Sequence, residues 1–108
     1  YFSSENKIVK KGLHSENYQV IGNFDNMIQF IGKKSSNQLW IGTQNGLYIF
    51  DIRLNKIEKE FFKESSISSV LVDNEGHLWI TTLNQGVFLI LNQEVELINR
   101  NTASISKV

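Results

Sequence analysis

At 108 residues, 41% hydrophobic and 20% charged, the chain has the size and balance of one globular domain. Eleven basic and eleven acidic residues cancel to a formal net charge of zero, so no electrostatic footprint draws it to nucleic acid or to an anionic membrane. It contains no cysteine, which excludes disulfides, zinc-cysteine sites and cysteine nucleophiles, and no apolar run approaches the roughly 18 residues of a membrane span.

The elements follow in chain order. Tyr1-Phe2 and the residues after it resemble Ile49-Phe50 and its sequel, so residues 1–26 are expected to end a preceding repeat, its last two strands running to about Val20 or Ile21. Residues 22–26 form a loop. Strands are predicted over 27–33, 38–43, 47–51 and 56–62, the last an outer strand with one wetter side. A link over 63–66 leads to a second set over 67–73, 77–82, 87–91 and 95–99. After another link at 101–104, Ile105-Ser106-Lys107-Val108 matches Ile67-Ser68-Ser69-Val70 and predicts the opening strand of a next repeat.

The two full sets are copies. Leu39-Trp40-Ile41-Gly42-Thr43 returns as Leu78-Trp79-Ile80-Thr81-Thr82 at an offset of 39 residues (79 minus 40), and Ile28, Ile31 and Asn37 return as Ile67, Val70 and Gly76. In each copy two period-two apolar runs flank a polar link ending in Gly46 or Gly86, the pattern of a β-hairpin. Asn37 and Gly76 predict a positive-φ turn before each tryptophan strand. The period lies near the roughly 40–45 residues of a four-stranded propeller blade.

The expected fold is therefore all-β: about two and a half four-stranded antiparallel blades of a β-propeller, with residues 1–26 ending one blade, 27–66 and 67–104 forming two, and 105–108 starting another. Dividing 108 by 39 gives about 2.8 repeats, whereas closed propellers have typically four to eight blades. The chain is expected to be a piece of a longer one. Its open end blades would expose apolar faces, which predicts association with other copies or with the missing propeller segments, and a homo-oligomer in isolation.

Candidate chemistry is sparse. Trp40 and Trp79 could stack on a sugar ring, but their place between Leu and Ile of a buried strand favours core packing. Asp73-Asn74-Glu75-Gly76 lacks the further ligands of a calcium loop and reads as a turn. His14 and His77 share no metal-ligand spacing, and both are expected at solvated turns. Asp25, Asp51 and Asp73 fall at strand ends, where aspartate caps turns, rather than pairing as a glycosidase dyad. No catalytic, metal or cofactor motif is present. Should a ligand bind, Gln44, Asn45, Asn84 and Gln85 in the second-to-third strand turns, with Asn26 and Glu64 in the links, offer groups for sugar hydroxyls.

The run Asp73-Asn74-Glu75-Gly76-His77-Leu78-Trp79-Ile80-Thr81-Thr82, followed by a glycine-led strand, resembles the two-component regulator propeller repeat, and residues 37–51 resemble it after the turn, with Lys34 where the second copy has Asp73. Such repeats are typical of the sensor regions of hybrid two-component histidine kinases of Bacteroides and relatives. The resemblance implies a periplasmic ligand-sensing propeller responding to glycan fragments, with no enzymatic role for this segment and a parent anchored in the inner membrane. A propeller-based carbohydrate-active enzyme such as a lyase, or a protein-interaction scaffold, are the alternatives; fold alone does not separate them.

Overall fold

The computed structural model describes residues 1–12 and 18–91, together with the backbone of 106–107. Among these residues there is no helix, and every strand pairs antiparallel within one of three sheets. The first sheet contains β1 (Phe2–Ser4), β2 (Lys7–Lys11) and β3 (Tyr18–Asn23) in that order. The second is the meander β4 (Ile28–Ser35), β5 (Gln38–Thr43), β6 (Gly46–Asp51) and β7 (Lys56–Phe61). In the third, β8 (Ile67–Val72), β9 (Leu78–Thr82) and β10 (Val87–Ile90) are followed by β11 (Ser106–Lys107).

The hairpin at the centre of each full sheet follows from its turn. Thr43 pairs with Gly46 across the two-residue turn Gln44-Asn45, and Gly46 has φ +119°, a conformation open to glycine alone. A Cβ there would also stand 3.2 Å from the Phe61 carbonyl oxygen. The second hairpin is one residue longer: the Thr82 amide bonds to the Gly86 carbonyl at 3.0 Å around residues 83–85. Past the turn the internal offset therefore becomes 40, and the partners remain equivalent: Trp40 faces Ile49, and Trp79 faces Leu89.

Strand alternation distributes the apolar residues of the middle sheet to both sides. Leu39, Ile41, Tyr48 and Phe50 pack toward the first sheet with Ile8, Ile21, Phe24 and Ile28. Trp40, Leu47 and Ile49 pack toward the third with Ile67, Leu78, Ile80 and Ile90. Each fully buried side chain such as Ile41 or Phe50 stabilises the fold by about 1.5–3 kcal/mol relative to exposure. The outer faces differ. Phe2, Tyr18 and Val20 remain exposed on the first sheet, and on the third Leu71, which pairs with half-buried Trp79, is 63% exposed.

Four expectations need correction. Residues 1–23 form three strands, not two: β1 pairs with β2 across Glu5-Asn6, so Ser4 and Asn6 stand 39 residues before Thr43 and Asn45. The likeness to Ile49-Phe50 misleads because every strand of the repeat alternates in the same way, and Lys7 replaces the glycine that marks the turn; Glu5, at φ +55°, supplies the left-handed residue instead. At the other end, Ser106–Lys107 pair with β10 (Leu89 with Ser106, Phe88 with Lys107) rather than opening another sheet. A four-residue likeness carries strand propensity but does not select the edge it joins.

The third correction concerns Asn37. Gly76 has the expected positive φ of 80°, but Asn37 is not among the residues of positive φ. Ser35 and Gln38 close a shorter turn there, in which the Ser35 hydroxyl donates to Gln38 Oε1 at 2.9 Å. The fourth concerns Trp79, which is only half-buried where core was expected, whereas Trp40 is 3% exposed. The strand expected at 95–99, the link at 101–104 and His14 lie outside the described residues.

Candidate functional site

One end of the strands carries the β5–β6 and β9–β10 turns and the links between sheets. The chain reuses the same backbone bond here: Gln44 N–H donates to the Met27 carbonyl at 3.1 Å, and, 39 residues on, Leu83 N–H donates to Ser66 O at 2.9 Å. Buried Ser65 bridges the two turns, its carbonyl accepting from Gly46 N–H at 2.8 Å and its hydroxyl donating to Gln85 Oε1. Polar side chains complete the connections. Asn45 Nδ2 donates to Asn26 Oδ1 at 2.8 Å; Asn84 accepts from Ser66 N–H at 2.9 Å and donates to the Glu64 carbonyl at 3.2 Å.

The four residues singled out from sequence thus do share one rim, but three of them use side-chain atoms to fasten a link to a hairpin. Gln44 differs: it is exposed, and its side chain makes no hydrogen bond among the described residues. Nearby, Gln29 on β4 reaches the third sheet, donating to Ser66 Oγ at 3.0 Å and the Ile67 carbonyl at 2.9 Å. On β6, burial and the adjacent Glu60 carboxylate push the Tyr48 phenol above its ordinary range, which keeps it a neutral donor to Glu60 at 3.2 Å.

The opposite end carries the β4–β5 and β8–β9 turns. Asp73 organises the second of these: one carboxylate oxygen accepts from the Glu75 and His77 amides, each at 2.9 Å, and the other accepts from the Trp79 indole N–H at 2.8 Å. The Trp79 hydrogen bond, aided by the two amides and by His77, holds the Asp73 carboxyl below the usual carboxylate range against a partial desolvation. His77 Nε2 lies 3.0 Å from Glu75 at the end of this turn, half-buried where a solvated position was expected. Asp51 does the same capping work at the end of β6, accepting from the Arg53 and Leu54 amides at 2.8 and 3.1 Å.

Between these two turns, the second and third sheets leave a cleft of about 130 Å³ lined by Lys33, Lys34, Trp40, Val72, Gly76 and Leu78. Lys34 Nζ stands over the Trp40 ring at 5.6 Å. The cleft lies at the end opposite the residues singled out from sequence. Its signal in the sequence is the replacement of the Val72-Asp73 pair by Lys33-Lys34 at equivalent positions of the two copies. Among the described residues no group of three His, Cys, Asp or Glu side chains gathers to hold a metal.

Residues 62–84, running from the link through Asp73 and Trp79 to the β9–β10 turn, match the family model described as two component regulator propeller. Over that segment the chain is similar to a two component regulator propeller repeat. No curated protein and no solved structure matches the chain. The propeller repeat's matched segment contains both the Asp73–Trp79 hydrogen bond and the Ser65, Ser66 and Asn84 fastening, so the family pattern coincides with the groups that set the turn and join the sheets. With three meandering sheets packed face to face, the architecture is that of a propeller fragment.

Proposed function

We propose that this chain is part of an extracytoplasmic, ligand-sensing propeller of a two-component signalling protein, and that the ligand is a glycan fragment. The observation that carries the reading is the two component regulator propeller match within a repeated sheet. The parent would be a histidine kinase anchored in the inner membrane with the propeller in the periplasm; this segment binds and relays and performs no chemistry of its own. Gln44, with its uncommitted amide, is the polar group best suited to a sugar hydroxyl, and exposed Asn45 and Asn84 belong to the same rim. Signalling would follow from ligand preferring one arrangement of propellers or subunits by its own difference in affinity. The exposed apolar rows at Phe2, Tyr18 and Val20 and at Leu71 would be covered by the neighbouring parts of the propeller or by other copies of the chain.

Three measurements test this reading. The complete open reading frame should encode a histidine kinase core in the same polypeptide; its absence would overturn the two-component assignment. Calorimetric titration with a panel of neutral oligosaccharides should give saturable binding that Gln44→Ala weakens, and failure of every member to bind would remove the glycan ligand. Light scattering should give a mass that is a multiple of 12.4 kDa. A single monomeric species would overturn association through the end faces.

A further inference from the structure

We propose that Asn45, together with the following Gly46, is a deamidation site, and that the link over residues 63–66 holds it inert in the folded chain. The inference stands apart from the glycan reading, because it rests on the chemistry of the turn and on no ligand.

Deamidation of asparagine is intramolecular: the amide nitrogen of the next residue loses its proton and attacks the side-chain Cγ, the new C–N bond closes a cyclic succinimide, and the side-chain nitrogen leaves as ammonia. Water then opens either carbonyl of the ring, giving aspartate or isoaspartate. A side chain on the following residue shields the attacking nitrogen, and glycine has none. Of the twelve asparagines only Asn45 precedes a glycine. It is exposed at the tip of the β5–β6 turn. The same rim supplies a control: Asn84 is also exposed, but Gln85 stands between it and Gly86.

In the folded chain the reacting groups are held by other partners. Gly46 N–H, the proton to be lost, donates to the carbonyl of buried Ser65 at 2.8 Å, and its removal would leave that buried acceptor without a donor. Asn45 Nδ2 donates to Asn26 Oδ1 at 2.8 Å, and Asn45 N–H donates to the Thr43 hydroxyl at 3.1 Å. Reaction therefore requires a local opening in which the link leaves Gly46. The second hairpin resists that opening, because the Ser65 hydroxyl donates to Gln85 Oε1 while Asn84 holds Ser66 N–H and the Glu64 carbonyl. Either product would add a negative charge to this rim. Isoaspartate would also add a methylene to the main chain of a two-residue turn, whose length fixes the register of Thr43 with Gly46.

The test incubates the intact chain in mildly alkaline buffer, folded or unfolded in urea, and follows each asparagine by peptide mass spectrometry, with isoaspartate detected by enzymatic methylation. In urea Asn45 should deamidate before every other asparagine, Asn84 included. In the folded chain it should react about tenfold or more slowly, since only the opened fraction is competent. Asn84→Ala, which loosens the link and leaves the Asn45–Gly46 sequence intact, should raise the folded rate about fivefold and leave the rate in urea unchanged. Asp73→Ala, at the opposite end of the strands, should not raise it. Equal rates in the folded and unfolded chain, a folded rate unmoved by Asn84→Ala or raised as far by Asp73→Ala, or another asparagine reacting first in urea would overturn the proposal.

Discussion

Trp40 and Trp79 hold the same position in successive copies of one repeat, and their surroundings differ. Trp40 lies between two packed sheets and is 3% exposed, with Lys34 across its ring; Trp79 sits half-buried on the outer face of the third sheet, and its indole N–H is satisfied by Asp73 at 2.8 Å. The tryptophan is thus not core by virtue of its strand. It becomes core when a neighbouring sheet covers it, and the residue preceding the turn, lysine in one copy and aspartate in the other, decides how its polar edge and ring are met. A repeat of this kind writes one hairpin many times and leaves the burial of each copy to its neighbours.

The largest test of this contrast is removal of each indole. Trp40→Ala should cost about 3–5 kcal/mol in urea unfolding, the range for large-to-small changes in a packed core. Trp79→Ala should cost roughly half as much, because less area leaves water on folding. Equal losses would mean that the outer face of the third sheet is covered in solution, so the pair also reports on association.

The turns give the next largest effect. Gly46→Ala meets both the φ of +119° and the Phe61 carbonyl, and should destabilise by about 1–3 kcal/mol. Gly86 has φ +82°, nearer the left-handed region, and Gly86→Ala should cost about 1 kcal/mol. A reversed order would show that the longer second turn is the more constrained of the two.

Fastening of the links should show smaller differences. Asn84→Ala removes two bonds to backbone groups and should cost about 1 kcal/mol. Asn45→Ala removes one exposed bond to Asn26 and should cost only a few tenths, roughly the low end for a solvated hydrogen bond. Denaturant midpoints of the two variants measure this directly.

The smallest effect is an acid-side pH dependence at Asp73 in the second copy. Because the folded state holds the Asp73 carboxyl below its unfolded value of about 3.9, the stabilisation it brings is present above that value and is lost as pH falls through the lower folded one. Wild type should therefore unfold at higher denaturant than Asp73→Asn at neutral pH, with the difference closing in acid. A gap that persists unchanged at low pH would mean that the carboxylate charge contributes nothing at the Trp79 contact.

Much of this architecture is legible in the residues alone. The offset between Trp40 and Trp79, the glycines after each hairpin turn and the period-two runs locate β4 to β10 to within a residue or two of their ends, because alternation and turn chemistry are local properties. The site is less legible. Gln44, Asn45, Asn84 and Gln85 fall on one rim by their place in the repeat, yet nothing local reveals that the last three are spent on Asn26, Glu64, Ser65 and Ser66. Those partners lie roughly 20 residues away and meet them only after the sheets fold.

By itself, then, the sequence determined strands β4 to β10, the hairpin turns after β5 and β9 and the repeat, each of which depends on backbone preferences over a few residues. The tertiary structure decided the rest. It set which of two equivalent tryptophans is covered, gave the first sheet its third strand, and directed Ser106–Lys107 to the edge of β10. It also set Lys34 over the Trp40 ring, beside a cleft bordered by Val72 and Leu78. These outcomes depend on which edges and faces meet, and a strand pattern that reads alike in every copy carries no information about its neighbours.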